Sequence, residues 1–144
     1  MLAGMPTRHR PGGGVFVTAQ GGAMALRIET VTVDAEDPVS LARFWSEVLD
    51  WEWREDEDGD VWVEPGRDHP DRGSARPLLF LEVPEAKAVK NRLHLDLTPD
   101  DQESEVERLR DLGATPVSVG QRGDEDWVVL ADPEGNEFCV LSGP

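Results

Sequence analysis

One order of segments, used twice, limits what this chain can fold into. The run RIETVTVD, residues 27–34, sets Val31 and Val33 against Thr30, Thr32 and Asp34 in the period-two pattern of a half-buried strand. EDPVSLARFWSEVLDW follows, with Asp37 placed to cap a helix and Pro38 suited to its first turn. Its Leu41, Phe44, Trp45 and Val48 recur at i, i+3, i+4 and i+7, so one face is apolar. WEWRE, an Asp-Gly pair and DVWVEP then predict a hairpin with a tight two-residue turn, and PLLFLEVP, residues 77–84, predicts a fourth strand. The same order returns in NRLHLDLTP, where Leu93, Leu95 and Leu97 alternate with His94 and Asp96. Thr98 and Pro99 predict a second helix start, Val106, Leu109 and Leu112 its apolar stripe, and Gly113 its stop. ATPVSV, DWVVLAD and EFCVLS complete the second set of three strands, and Thr30 and His94 hold matching places 64 positions apart. Duplication of this kind predicts two similar sheets that share a core or a cleft.

The 144 residues suffice for one domain with a real core. Residues 1–24, which carry a GGG run and no long apolar stretch, read as a disordered leader; 25–144 read as one domain with modules at about 25–84 and 90–142. Thirty acidic against fourteen basic side chains give a net charge of −16, which repels phosphate backbones and anionic bilayers. Nucleic acid and membranes are therefore excluded as expected partners. The acidic run EDEDGD, residues 55–60, lacks the continuation of a calcium loop and reads as a solvated hairpin tip. A single cysteine forms no internal disulfide, which makes the cytoplasm the expected compartment. No glycine loop that could cradle phosphate follows a strand, so no nucleotide cofactor is expected.

NRLHLDL, FWSEVLDW after its Asp-Pro start, and the terminal DPEGNEFCVL, in this order and at these spacings, resemble the glyoxalase and bleomycin-resistance family. This family is also called the vicinal oxygen chelate superfamily, and the chain is most similar to its glyoxalase-like domain proteins. The resemblance covers about residues 25–142. It implies an α+β fold of two βαβββ modules whose curled mixed sheets surround a cleft, and it implies a homodimer. In metal-dependent members the ligands come from the first and last strands of each module, positions that fall here on Thr30, Leu81, His94 and Cys139. Threonine is a poor donor for a divalent ion and leucine is none. One histidine and one cysteine fall short of the three protein donors a mononuclear site needs. The expectation is accordingly no catalytic metal, with His94 as a ligand if a divalent ion is present.

His94 is the candidate catalytic residue, with imidazole chemistry suited to a base and Asp96 two positions away on the same strand face. Without a visible nucleophile, a structural or ligand-contacting role for it is favoured over catalysis. Cys139 reads as cleft wall, although an approach by His94 would open nucleophilic chemistry. Trp51 and Trp53 share a strand face, with Trp62 on the paired strand, so these rings either pack in the core or stack on a flat ligand. His69 reads as a solvated loop residue. The expected cleft is lined by Thr30, Thr32, Leu81, His94, Asp96, Trp127 and Cys139, and its expected partner is a small organic molecule. The alternatives are a metal-dependent lyase, isomerase or dioxygenase that uses His94, and a dimeric interaction domain whose cleft is plugged by tryptophan.

Overall fold

The structure, a computed structural model, describes residues 26–143, and the expected leader lies outside the described residues. Its elements are β1 (Val31–Ala35), α1 (Pro38–Leu49), β2 (Glu52–Glu55), β3 (Val61–Glu64), β4 (Leu78–Glu82), β5 (Asp96–Leu97), α2 (Gln102–Asp111), β6 (Thr115–Pro116), β7 (Val128–Ala131) and β8 (Glu137–Val140). This is βαβββ twice. The first sheet has the order β1-β4-β3-β2 and the second β5-β8-β7-β6, so the two modules share one topology. In each, the first strand runs parallel to the last and forms a sheet edge. A parallel neighbour requires a crossover, and the helix after each first strand supplies it.

Both helices start in the same way. Asp37 accepts from the Ser40 backbone N–H at 3.0 Å and Asp101 from that of Ser104 at 2.8 Å, with the two caps 64 positions apart like Thr30 and His94. Helix α2 therefore begins later than the expected Thr98 start, because the first side chain placed to reach a free N–H is Asp101. Gly113 ends it as predicted, at φ 114°, with its N–H donating to Arg110 O. The stop of α1 is less usual: Asp50 takes the left-handed conformation, at φ 54°.

One local expectation changes. The hairpin tip spans 56–60 instead of two residues. Only Gly59 there has positive φ, and the Asp56 carboxylate closes the loop by accepting from the backbone N–H groups of Asp58 and Asp60 and from Trp62 Nε1. Trp53 and Trp62 stand on opposite sheet faces, since Trp53 pairs with Val63 and Trp62 with Arg54. Arg43 of α1 stacks on Trp53 and Arg54 on Trp62.

The apolar stripe of α1 lies on Val61, Val63, Leu78 and Phe80, all buried. The core also crosses into the second module. Trp45 and Phe44 meet Phe138 of β8 edge-on, at 5.1 and 6.4 Å between ring centres. Three further side chains of the second module hold α1 along its length. Glu134 accepts from the backbone N–H groups of Glu36 and Asp37 at its start (2.7 and 3.0 Å), Asp132 accepts from Trp45 Nε1 at 3.1 Å, and Arg108 donates to Glu47 O and Val48 O at its end. The anion at the N-terminus and the cation at the C-terminus both match the helix dipole. Among the described residues no helix is long and apolar enough to cross a membrane.

Candidate ligand site between the modules

The terminal turn, Asp132 to Asn136, is built around a buried carboxylate. Asp132 is 3% exposed and accepts from the backbone N–H groups of Glu134 and Asn136, from Asn136 Nδ2 and from Trp45 Nε1. Gly135, at φ 88°, allows the chain to reverse there. Burial pushes the Asp132 carboxyl above its ordinary value, while the hydrogen bonds from Asn136, Trp45 and Glu134 pull it back. The turn is thus a structural joint between the modules, and Glu134, which it projects onto α1, is part of the same joint.

Beside this joint lies a cavity of about 670 Å³. It opens along the facing sheet edges, between β1 and the segment that leads into β5. Its deeper wall is apolar, from Trp45, Leu78 and Phe138, which are buried, and Val33 and Leu95, which are half-buried. The polar wall includes Thr32, Asp34, Glu85, Arg92 and His94. Glu137 also faces the cavity, where Lys87 Nζ donates to it at 3.0 Å and the Asn91 backbone N–H at 3.0 Å. Burial acts to raise the Glu137 carboxyl, but these two donors outweigh it and hold the group below its ordinary value.

Of the residues expected to line one cleft, Thr32 and His94 line this cavity. Strand register explains where the others go. Leu81 pairs with Asp34 and Thr32 with Leu79, which sets Thr32 and Leu81 on the face of the first sheet away from α1. Thr30, just before β1, bonds Thr32 through their hydroxyls at 3.5 Å. Asp96 pairs with Cys139, and Cys139 with Val129; Trp127 is half-buried just before β7.

His94, Asp96 and Cys139 form a second constellation. One donor atom from each lies within 4.8 Å of the other two, and His94 Nε2 stands 3.2 Å from Asp96 Oδ1. Alternation along the approach to β5 puts residues 94 and 96 on one face, and β5–β8 register brings Cys139 beside them. Counting only Thr30, Leu81, His94 and Cys139 overlooked Asp96 as a donor, although its place two residues after His94 was a legible signal. The set is nitrogen, oxygen and sulfur. It fits a borderline or soft divalent ion, whereas Thr30 and Leu81 add nothing suited to a hard one.

His69, expected in solvent, is half-buried with its ring edge-on to Trp51 at 6.4 Å, and its Nδ1 accepts from the Asp71 backbone N–H. Trp51 is buried with no hydrogen-bond partner for Nε1, for which the packing gives no account.

A family model described as a glyoxalase-like domain matches residues 30–141. The chain belongs to the glyoxalase-like domain family. Among curated proteins there is no significant sequence match. Solved structures of similar fold include a mutant of the genomically encoded fosfomycin resistance protein FosX from Listeria monocytogenes, complexed with Mn(II) and 1S,2S-dihydroxypropylphosphonic acid. It is 12% identical, with 84% of this chain and 93% of that one covered and a TM-score of 0.61. TnmS3, an antibiotic binding protein from Streptomyces sp. CB03234, is 18% identical over 85% of this chain and 100% of its own, with a TM-score of 0.58. A glyoxalase/bleomycin resistance protein/dioxygenase family enzyme from Burkholderia phytofirmans PsJN is also 18% identical, over 81% and 98%, with a TM-score of 0.58. At these identities the likeness shows the fold alone. Within that fold, this glyoxalase-like domain carries the inter-module cavity and the His94–Asp96–Cys139 cluster.

Proposed function

We propose that this glyoxalase-like domain binds a small organic molecule in the cavity between its modules. The observation that carries the reading is the cavity itself: about 670 Å³, with apolar walls and a smaller set of polar groups, a size and character suited to a small ligand. Its ionisable lining consists of Asp34, Glu85, Asp132, Glu134 and Glu137 against Lys87, Arg92 and His94. That balance favours a neutral or amine-bearing molecule over a strongly anionic one. The antibiotic-binding neighbour supports binding as a function compatible with this fold. Among the described residues Trp45 is the only tryptophan that lines this cavity, which speaks for an open cavity over the plugged-cleft alternative. On the ground of its single cysteine we assign the protein to the cytoplasm.

A homodimer is part of the same proposal. Ile28, Val31 and Leu93 are 69%, 38% and 88% exposed, a surplus of apolar surface near the open strand edges that a second copy would cover. Light scattering coupled to gel filtration tests this, and a monomer mass at high micromolar concentration would dismiss it.

The binding test uses Nile red, a neutral apolar dye, on the full chain and on Val33→Trp, which fills the cavity from β1. The expected result is saturable dye fluorescence with the parent and loss of it in the variant, at similar unfolding midpoints. Equal binding by both proteins, or none by the parent, would defeat the reading.

The His94–Asp96–Cys139 cluster favours a second reading, a metal-dependent lyase, isomerase or dioxygenase. Those three side chains would hold the ion, which would supply Lewis-acid polarisation of a bound oxygen. His94, which also lines the cavity, would connect ion and ligand.

A further inference from the structure

We infer that the ligand of the inter-module cavity is a short linear peptide with basic side chains, bound in extended form by strand addition between the open edges of the two sheets. The inference rests on the reading of this cavity as a ligand site and names the class of molecule it takes. Its ground is the direction of the backbone groups along those two edges.

Register fixes those directions. Val31 N–H donates to Pro77 O at 3.0 Å and Ala35 O accepts from Val83 N–H at 2.9 Å, so in the parallel ladder residues 31, 33 and 35 turn their backbone groups to β4. The N–H and C=O of Thr32 and Asp34 therefore point away from β4, out of the sheet edge. On the other side, Leu95 O accepts from Cys139 N–H and Leu97 O from Leu141 N–H, at 2.9 and 2.8 Å, which turns the backbone groups of His94 away from β8. The cavity lies between these edges and is lined by residues 31–34 and 92–95. Among the described residues no backbone hydrogen bond reaches Thr32, Asp34 or His94 from across it. The β1 segment VTVDA also has neither proline nor lysine, the residues that commonly blunt an exposed edge.

A peptide strand fits this slot in length and in chemistry. Four residues in extended form span about 13 Å, the run of residues 31–34. Main-chain bonds to Thr32 and Asp34 supply affinity, and side chains at alternate positions supply selectivity, as in other strand additions. Trp45, Leu78 and Phe138 form the buried apolar wall that receives one set of side chains. Charge decides the other set. Lys87 pairs with Glu137, His94 with Asp96, and Asp132 and Glu134 serve the joint, which leaves the carboxylates of Asp34 and Glu85 against the one guanidinium of Arg92. The chain as a whole has a net charge of −16. Basic side chains on the peptide match that field, and acidic ones oppose it.

The experiment is a calorimetric titration of the full chain with an acetylated and amidated four-residue peptide that alternates valine and lysine. The expected result is one peptide per chain, with the backbone amides of Thr32 and Asp34 protected from hydrogen exchange in NMR spectra. Each net backbone bond is worth roughly fivefold, so the same peptide N-methylated at its amides, which keeps the side chains and loses the donors, should bind about 25-fold more weakly or worse. A peptide with glutamate in place of lysine should lose roughly tenfold or more. Thr32→Pro deletes the N–H that faces the cavity and spares the ladder to β4, so it should weaken the valine–lysine peptide by about fivefold at a similar urea midpoint. Should that variant not fold, the N-methylated peptide on the parent decides. Equal binding of the N-methylated peptide, or peptide binding that survives Val33→Trp, would overturn the inference. Absence of peptide binding would also overturn it; saturable Nile red fluorescence in that case leaves the cavity reading intact, and its loss removes both. A dimer that Thr32→Pro dissociates, with no peptide bound, would assign the edge to a second copy and equally overturn the inference.

Discussion

Replacing Asp132 by alanine is the sharpest test of the joint between the modules. The carboxylate is 3% exposed and serves four donor groups: Trp45 Nε1, the backbone N–H groups of Glu134 and Asn136, and Asn136 Nδ2. Without it the indole N–H of buried Trp45 loses its partner, at a cost of about 1–3 kcal/mol. Loss of the two backbone anchors adds about 0.5–1.5 kcal/mol each, and relief of the buried charge offsets part of the sum. A net loss of about 3 kcal/mol is expected, which lowers the melting temperature by about 6–12 °C for a chain of this length. Urea unfolding of the parent, Asp132→Ala, Trp45→Phe and the double variant measures it. The cycle should return a coupling of about 1.5–3 kcal/mol, the range for a hydrogen bond to a charged group. A single-variant loss below about 1 kcal/mol, or a coupling near zero, would refute the view that this turn joins the modules through Trp45.

Arg108→Met should destabilise the fold by about 1 kcal/mol in urea unfolding, because α1 loses the cation that binds Glu47 O and Val48 O while its half-exposed setting limits the effect. Asp50→Gly should stabilise by roughly 0.5–1 kcal/mol, since glycine takes the φ of 54° without the steric cost that aspartate bears. Acid should destabilise the protein. Asp37, Asp56, Asp101 and Glu125 are held below their ordinary values by bonds from Ser40, Trp62, Ser104 and the Arg122 backbone N–H, and Glu137 is lowered as well. Their stabilisation is present above the unfolded values, 3.8 for Asp and 4.5 for Glu, and is lost as pH falls through the folded ones. Asp132 runs the opposite way: its raised carboxyl stabilises below 3.8, and that contribution is lost as pH rises through the folded value. Urea midpoints measured from about pH 5 down to about pH 3 should therefore fall, and fall more steeply in Asp132→Ala than in the parent.

Much of the architecture was legible in the sequence because it is encoded at short range. Alternation marked the strand faces, the Asp37 cap acts on an N–H group three residues away, and Gly113 ends its helix where positive φ is required, whereas the second cap, expected at Thr98, falls on Asp101. Repetition of that local code at a spacing of 64 identified the two βαβββ modules and, with DPEGN, the glyoxalase-like family. Long-range packing decided the rest. No local pattern tells that Glu134 will reach the start of α1 or that Asp132 will meet Trp45, contacts that span 97–98 and 87 residues. Nor does alternation tell which sheet edges face each other, and it is there, beside β1 and the approach to β5, that the cavity forms. Asp96 illustrates the division: period two put it on the face of His94, but only the pairing of β5 with β8 brought Cys139 beside both. Side-chain direction is a local property of the backbone, whereas proximity between strands is set by the tertiary fold.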